Sequence, residues 1–106
     1  MKAIVYYNSV AAGLLERLPG KFRFQYLPEY VAISELPSIS LTLPKRLEAY
    51  ESPVLFPFFY GLLAEGTNKA IQCRELKIDE NDHFTRLLKT MHEDSIGAVT
   101  VKPLGL

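Results

Sequence analysis

The period of the apolar pattern changes after Pro53, and the change divides what the two sides of that point can become. Before Ser52 the clearest apolar runs alternate with polar residues, whereas after Pro53 apolar residues recur at helical spacing. Alternation puts side chains on one face of a strand, and a 3.6-residue repeat puts them on one face of a helix. The expected architecture is α+β: a small, mostly antiparallel β-sheet from the N-terminal half and a C-terminal strand, packed against about three short helices. No linker, repeat or low-complexity segment interrupts the 106 residues, so a single domain over 1–106 is expected.

Lys2 to Tyr7 reads as a strand, Asn8 and Ser9 supply turn chemistry, and a second apolar stretch lies around Gly13 to Leu18. Pro19 and Gly20 then turn the chain. From Lys21 onward Phe22, Phe24 and Tyr26 alternate with Lys21, Arg23 and Gln25, the pattern of a half-buried antiparallel strand. Between Pro37 and Pro44, Ile39, Leu41 and Leu43 alternate with Ser38, Ser40 and Thr42, which predicts a short strand inside an otherwise irregular crossing.

Pro57 suits the first turn of a helix that should run to about Ala64 and stop at Gly66. Thr67 is placed to cap a second helix through about Lys77, with Ala70, Ile71 and Cys73 inward and Lys69, Arg74, Glu75 and Lys77 outward. Asp82 or Asn81 caps a third, in which Phe84, Leu87, Leu88 and Met91 fall on one stripe. Gly97 to Val101 reads as the last strand, ended by Pro103.

The segment Leu55 to Gly66, LFPFFYGLLAEG, holds no charge before Glu65. On a helix Leu55, Phe58, Phe59, Leu62 and Leu63 share one face, which suits the core, and Phe56, Tyr60 and Ala64 share another. An aromatic pair left on the second face would form an apolar patch of the kind that marks protein interfaces.

Charge and motifs exclude several functions. Twelve basic and twelve acidic residues cancel without a basic cluster, which disfavours direct binding to nucleic acid. No apolar stretch reaches the length of a membrane span and no cleavable leader is apparent, so a cytoplasmic location is expected. Gly61 and Gly66 have P-loop separation, but Thr67 and Asn68 stand where Lys and Ser/Thr are required. His92, Glu93 and Asp94 imitate part of a kinase catalytic loop without its asparagine, Val99 standing at that position. The acidic run from Asp79 to Asp82 lacks the glycine and terminal glutamate of a calcium loop. Cys73, His83 and His92 match no metal signature, and both histidines are expected to face solvent. No catalytic residue, metal or cofactor is expected.

The order of FRFQYLPEY (22–30), LPSISLTLP (36–44), LFPFFYGLLAEG (55–66) and IDENDHFTRLLKTMHEDSIGAVTV (78–101) resembles the HipA N-terminal subdomain family. VYYN (5–8) followed by Gly13 and Leu14 is similar to the family's opening. Two positions depart from the family pattern: Ala64 replaces a common proline, and Tyr60 replaces a residue that is usually polar. HipA-like proteins are serine/threonine kinase toxins, but the Gly-rich segment, catalytic loop and metal-binding motif of that kinase are missing from these residues. The resemblance therefore implies no kinase activity here. It implies a free-standing, HipS-like antitoxin of a HipBST toxin–antitoxin system, which binds and inhibits a HipT/HipA-like kinase and has a HipB-like DNA-binding protein as a further partner. Phe56, Tyr60, Ala64, Glu65, Thr67 and Asn68 are the expected partner-binding residues. The alternatives are an assembly module joining the kinase to the HipB-like protein for repression without inhibition, and a detached subdomain that the kinase needs for activity.

Overall fold

A computed structural model describes residues 1–63, 66–79, 81–90 and 98–104. Its elements run β1 (Lys2–Tyr7), β2 (Val10–Leu18), β3 (Lys21–Tyr26), α1 (Pro28–Ala32), β4 (Tyr50–Ser52), α2 (Pro57–Tyr60), α3 (Gly66–Leu76), α4 (His83–Thr90) and β5 (Val99–Leu104). The described strands form one antiparallel sheet in the order β4-β3-β2-β1-β5. This is the α+β arrangement anticipated from the change of period.

Local chemistry sets the first two hairpins. Asn8 and Ser9 both have positive φ, 48° and 69°, which gives a two-residue turn the twist that neighbouring strands require. Gly20, at φ 73°, closes the Pro19-Gly20 turn between β2 and β3. A shift in register after Val5 pairs Val5 with Gly13 and Tyr6 with Ala11, leaving Ala12 as a bulge whose carbonyl accepts the Leu27 N–H at 2.9 Å.

One face of the sheet is aromatic. Phe24 and Tyr26 are buried, their rings edge to face at 4.9 Å, and Phe24 also meets Phe59 at 5.6 Å. Phe22 meets Phe84 of α4 at 5.8 Å, and Tyr26 stacks on Tyr30 of α1. Gly13 allows this layer to close: a Cβ there would lie 2.7 Å from the Phe24 ring and 2.8 Å from the Gln25 carbonyl. The opposite face carries alternating charges, with Lys2 beside Glu16, Glu16 beside Arg23, and Arg23 beside Glu51 across four strands.

Several expected elements change. The alternation from Ser38 to Leu43 does not make a strand: Ile39 and Leu43 are buried, but Leu41 is 99% exposed in a turn closed by the Leu43 N–H on the Ser40 carbonyl. The prolines at both ends and the Tyr26 hydroxyl, which accepts from Ile39 and donates to Leu43, hold these backbone groups away from a neighbouring strand. β4 lies elsewhere, at the sheet edge beside β3. The helix at Pro57 does not reach Ala64, because beyond Gly61 the bonds shorten to Leu62 N–H on Phe59 and Leu63 N–H on Tyr60, and glycine is a weak helix former.

α3 begins at Gly66, so Thr67 sits inside its first turn and not at the cap. Ala70 and Ile71, expected inward, are exposed, while Cys73 is buried. Lys77, at φ 57°, ends the helix, and the Ile78 N–H returns to the Cys73 carbonyl at 2.8 Å. At the other end of the chain Pro103 does not stop β5 but lies within it, opposite Ala3, where an edge strand tolerates a missing N–H. Met91 lies outside the described residues.

Candidate partner interface

The aromatic run places its side chains differently from a single continuous helix. Leu55, Phe59 and Leu63 are buried, and Phe58 and Leu62 pack half-buried against the same core, as expected. Phe56 is also buried, at 7% exposure, and meets the Phe59 ring at 6.3 Å. It therefore does not join Tyr60 on an exposed face. The reason is local: Phe56 is the N-cap of α2, with extended ψ of 137°, so helical spacing does not govern its direction.

Tyr60 does reach the surface, at 39% exposure. It lines an apolar groove of about 440 Å³ with Val54, Leu55, Pro57, Gly61 and His83. Three elements build this groove: the connection from β4, the short helix α2, and the start of α4. Thr67 and Asn68 belong to the first turn of α3, and Ala64 and Glu65 lie outside the described residues.

The α4 end of the groove is set by Asp82. Its carboxylate accepts the Thr85 N–H at 3.1 Å and the Thr85 hydroxyl at 2.8 Å, and it pairs with Arg17 Nη1 at 3.3 Å. Asp82 is thus the cap that the sequence left open between two residues. Burial pushes its pKa up, but the bonds from Thr85 and the charge of Arg17 outweigh that and hold it below the ordinary 3.8. Replacing Asp82 by alanine is expected to cost about 0.5–2 kcal/mol near neutral pH. A depressed folded-state pKa contributes stability above the unfolded value and loses it as pH falls through the folded one. The gap between wild type and Asp82→Ala in denaturant melts should accordingly narrow below about pH 4; a gap that stays constant down to about pH 2 would refute this role.

With α4 fixed, His83 turns half-buried against Tyr60, edge to face at 4.8 Å, and does not face solvent as expected. Arg86, 2% exposed, has only donors, so its Nη1, 3.1 Å from His83 Nδ1, makes that nitrogen the acceptor. The neutral ring then carries its proton on Nε2. The sequence singles out Tyr60, which lies exposed in this groove, but not Val54, Pro57 and His83 as its neighbours there. The available signals were Val54 lying between Pro53 and Pro57, and His83 following the cap. His92 lies outside the described residues.

Among the described residues no group of three His, Cys, Asp or Glu side chains is placed to hold a metal. No described helix is long and apolar enough to cross a membrane.

The family profile of the HipA N-terminal domain matches residues 3–102. The chain belongs to the HipA N-terminal domain family. A solved structure described as the N-terminal domain of HipA toxin is similar over 98% of this chain and 94% of its own, at TM-score 0.72 and 26% identity. An uncharacterized protein of Haemophilus influenzae is 36% identical over 90 residues, which are 85% of this chain and 80% of the relative. The HipA N-terminal domain is a non-catalytic subdomain, and its sheet and short helices are the fold described above.

Proposed function

We propose that residues 1–106 act as one HipS-like domain, the antitoxin of a HipBST-type system, which binds and inhibits its cognate HipT/HipA-like serine/threonine kinase. The observation that carries this reading is the apolar groove at Tyr60, on a member of a family named for a subdomain of the HipA toxin. The Haemophilus influenzae relative, of which the match takes up 80%, supports a form of the domain without a kinase attached. A HipB-like helix-turn-helix protein is a further partner, and the chain works in the cytoplasm without a cofactor.

Tyr60 and the groove walls form the kinase contact, with Glu65, Thr67 and Asn68 as polar neighbours along the chain and Ala64 at the junction. Phe56 is buried beside Phe59 and contributes to the core that carries α2, not to the exposed contact. A tyrosine at the edge of an apolar depression is suited to be an anchor, because it offers a large rigid area and one polar tip.

The test is the kinase's autophosphorylation with the purified chain added to saturation. Inhibition supports the antitoxin reading; an unchanged rate would indicate an assembly module, and a raised rate an activating subunit. Tyr60→Asp, which puts a charge into the groove, is expected to weaken kinase binding about thirtyfold, or about 2 kcal/mol, while leaving the circular dichroism spectrum unchanged. Binding and growth rescue that survive this change in a folded variant would remove Tyr60 from the interface.

A further inference from the structure

The segment from Ile33 to Tyr50 contains little regular structure yet is tied down along its length. The Tyr26 hydroxyl bonds Ile39 and Leu43, the Tyr30 hydroxyl donates to the Pro37 carbonyl at 2.6 Å, and the Tyr50 hydroxyl donates to the Pro44 carbonyl at 2.6 Å. The Lys45 N–H donates to Ser38 Oγ at 2.9 Å, and the Lys45 ammonium donates to the Ile33 and Leu36 carbonyls at 2.7 and 2.8 Å. At the tip, Ser40 Oγ accepts the Thr42 N–H and bonds the Thr42 hydroxyl. The two apolar neighbours, Ile39 and Leu43, are buried, and Leu41 between them is 99% exposed.

This combination separates Leu41 from an ordinary exposed leucine. Single exposed apolar residues are common and need no explanation, but here hydrogen bonds on both sides of the turn fix the backbone that carries the leucine. A turn whose backbone is ordered before binding has less conformational freedom to lose when a partner covers it.

We infer that the Ser40–Leu43 turn is a second docking element, a preformed knob in which Leu41 enters an apolar pocket of the kinase. This rests on the docking reading above. The turn and the Tyr60 groove lie on the same side of the sheet, linked through Leu43, Tyr26, Phe24 and Phe59. Both belong to the layer of chain packed on the Phe24–Tyr26 face, and this continuity favours the kinase over a separate protein. Charge states the chemistry of the rim. The ion pairs among the described residues are Arg17 with Asp82 and Lys21 with Glu51, so Lys45 and Arg46, beside the turn, keep charges that no carboxylate neutralises there. An acidic rim around the kinase pocket is the complement.

The experiment measures affinity of the full chain for the cognate kinase, and separately for the HipB-like protein, by calorimetry. Leu41→Ser is expected to weaken kinase binding about tenfold or more, equal to about 1.4 kcal/mol. Its melting temperature should stay within about 2 °C of wild type, because Leu41 touches no core. Leu41→Met should bind within about threefold of wild type, and so should Leu47→Ser, a change at a leucine of the same segment that is 58% exposed. The knob is overturned if Leu41→Ser binds within about twofold of wild type, if Leu47→Ser loses as much, or if only binding to the HipB-like protein falls. If wild type itself fails to bind the kinase, the docking reading falls first and the knob with it, a result distinct from loss in the variant alone.

Discussion

Phe59→Ala is expected to lower stability by about 3–5 kcal/mol, the range for removing a buried aromatic ring. Phe59 is wholly buried and its ring meets three others: Phe24 at 5.6 Å, Phe56 at 6.3 Å and Phe58 at 5.2 Å. The alanine would leave a hole between the sheet and α2 that the flanking rings fill only in part. Small domains are stable by about 5–15 kcal/mol in total, so the loss is a large share of what exists. For a chain of this size it corresponds to a fall in melting temperature of roughly 15 °C or more. A thermal melt followed by circular dichroism decides the matter, and a fall of less than about 5 °C would show that Phe59 is not the keystone of the aromatic layer.

Tyr26→Phe, which removes one oxygen and keeps the ring, is expected to cost about 2–4 kcal/mol. The hydroxyl is buried, accepts the Ile39 N–H at 3.0 Å and donates to the Leu43 carbonyl. Its removal leaves two backbone groups without a partner, each worth about 1–3 kcal/mol when water does not replace the bond. Burial also raises the tyrosine's pKa above the ordinary 10.0, ahead of the lowering effect of the Ile39 bond. A raised folded-state value contributes stability below the unfolded pKa and loses it as pH rises through the folded one. The difference between Tyr26 and phenylalanine should therefore be full at neutral pH and shrink in alkali above about pH 10. Hydrogen exchange gives a local check: the Ile39 amide should exchange faster in the variant, and unchanged protection there would mean that another group has taken the bond.

β3, which carries Tyr26, also shows which parts of the fold are legible in the sequence. Tyr26 and Phe24 announced their direction because β3 alternates without interruption and one face of it is solvated. α4 was equally legible, since Phe84, Leu87 and Leu88 form its buried stripe and Asp82 caps it. Both are cases in which the local pattern and the tertiary surroundings ask for the same thing. Where they differ, the surroundings decide. Ser38 to Leu43 alternates as convincingly as β3, yet a tyrosine hydroxyl from another strand takes its backbone bonds. Phe56 shares a face with Tyr60 only on a helix that includes it; with the helix starting at Pro57, the Phe56 ring turns inward.

The candidate interface was half legible for the same reason. Tyr60 could be found from the aromatic run alone, but Val54 and His83 come from segments far apart in sequence, and nothing local says that they meet. The alternation around Leu41 predicts a strand, and a strand gives no sign that this leucine stands out alone.

The edges of the sheet restrict how this chain can associate. β4 is three residues long, and β5, on the other side, includes Pro103, which has no N–H to lend to an added strand. Neither border is a good template for continuing the ladder into another molecule, whether a partner's peptide or a second copy in an aggregate. At these described borders a contact with another molecule falls to side chains, so apolar surface can be exposed there without also offering a backbone ladder for fibril growth.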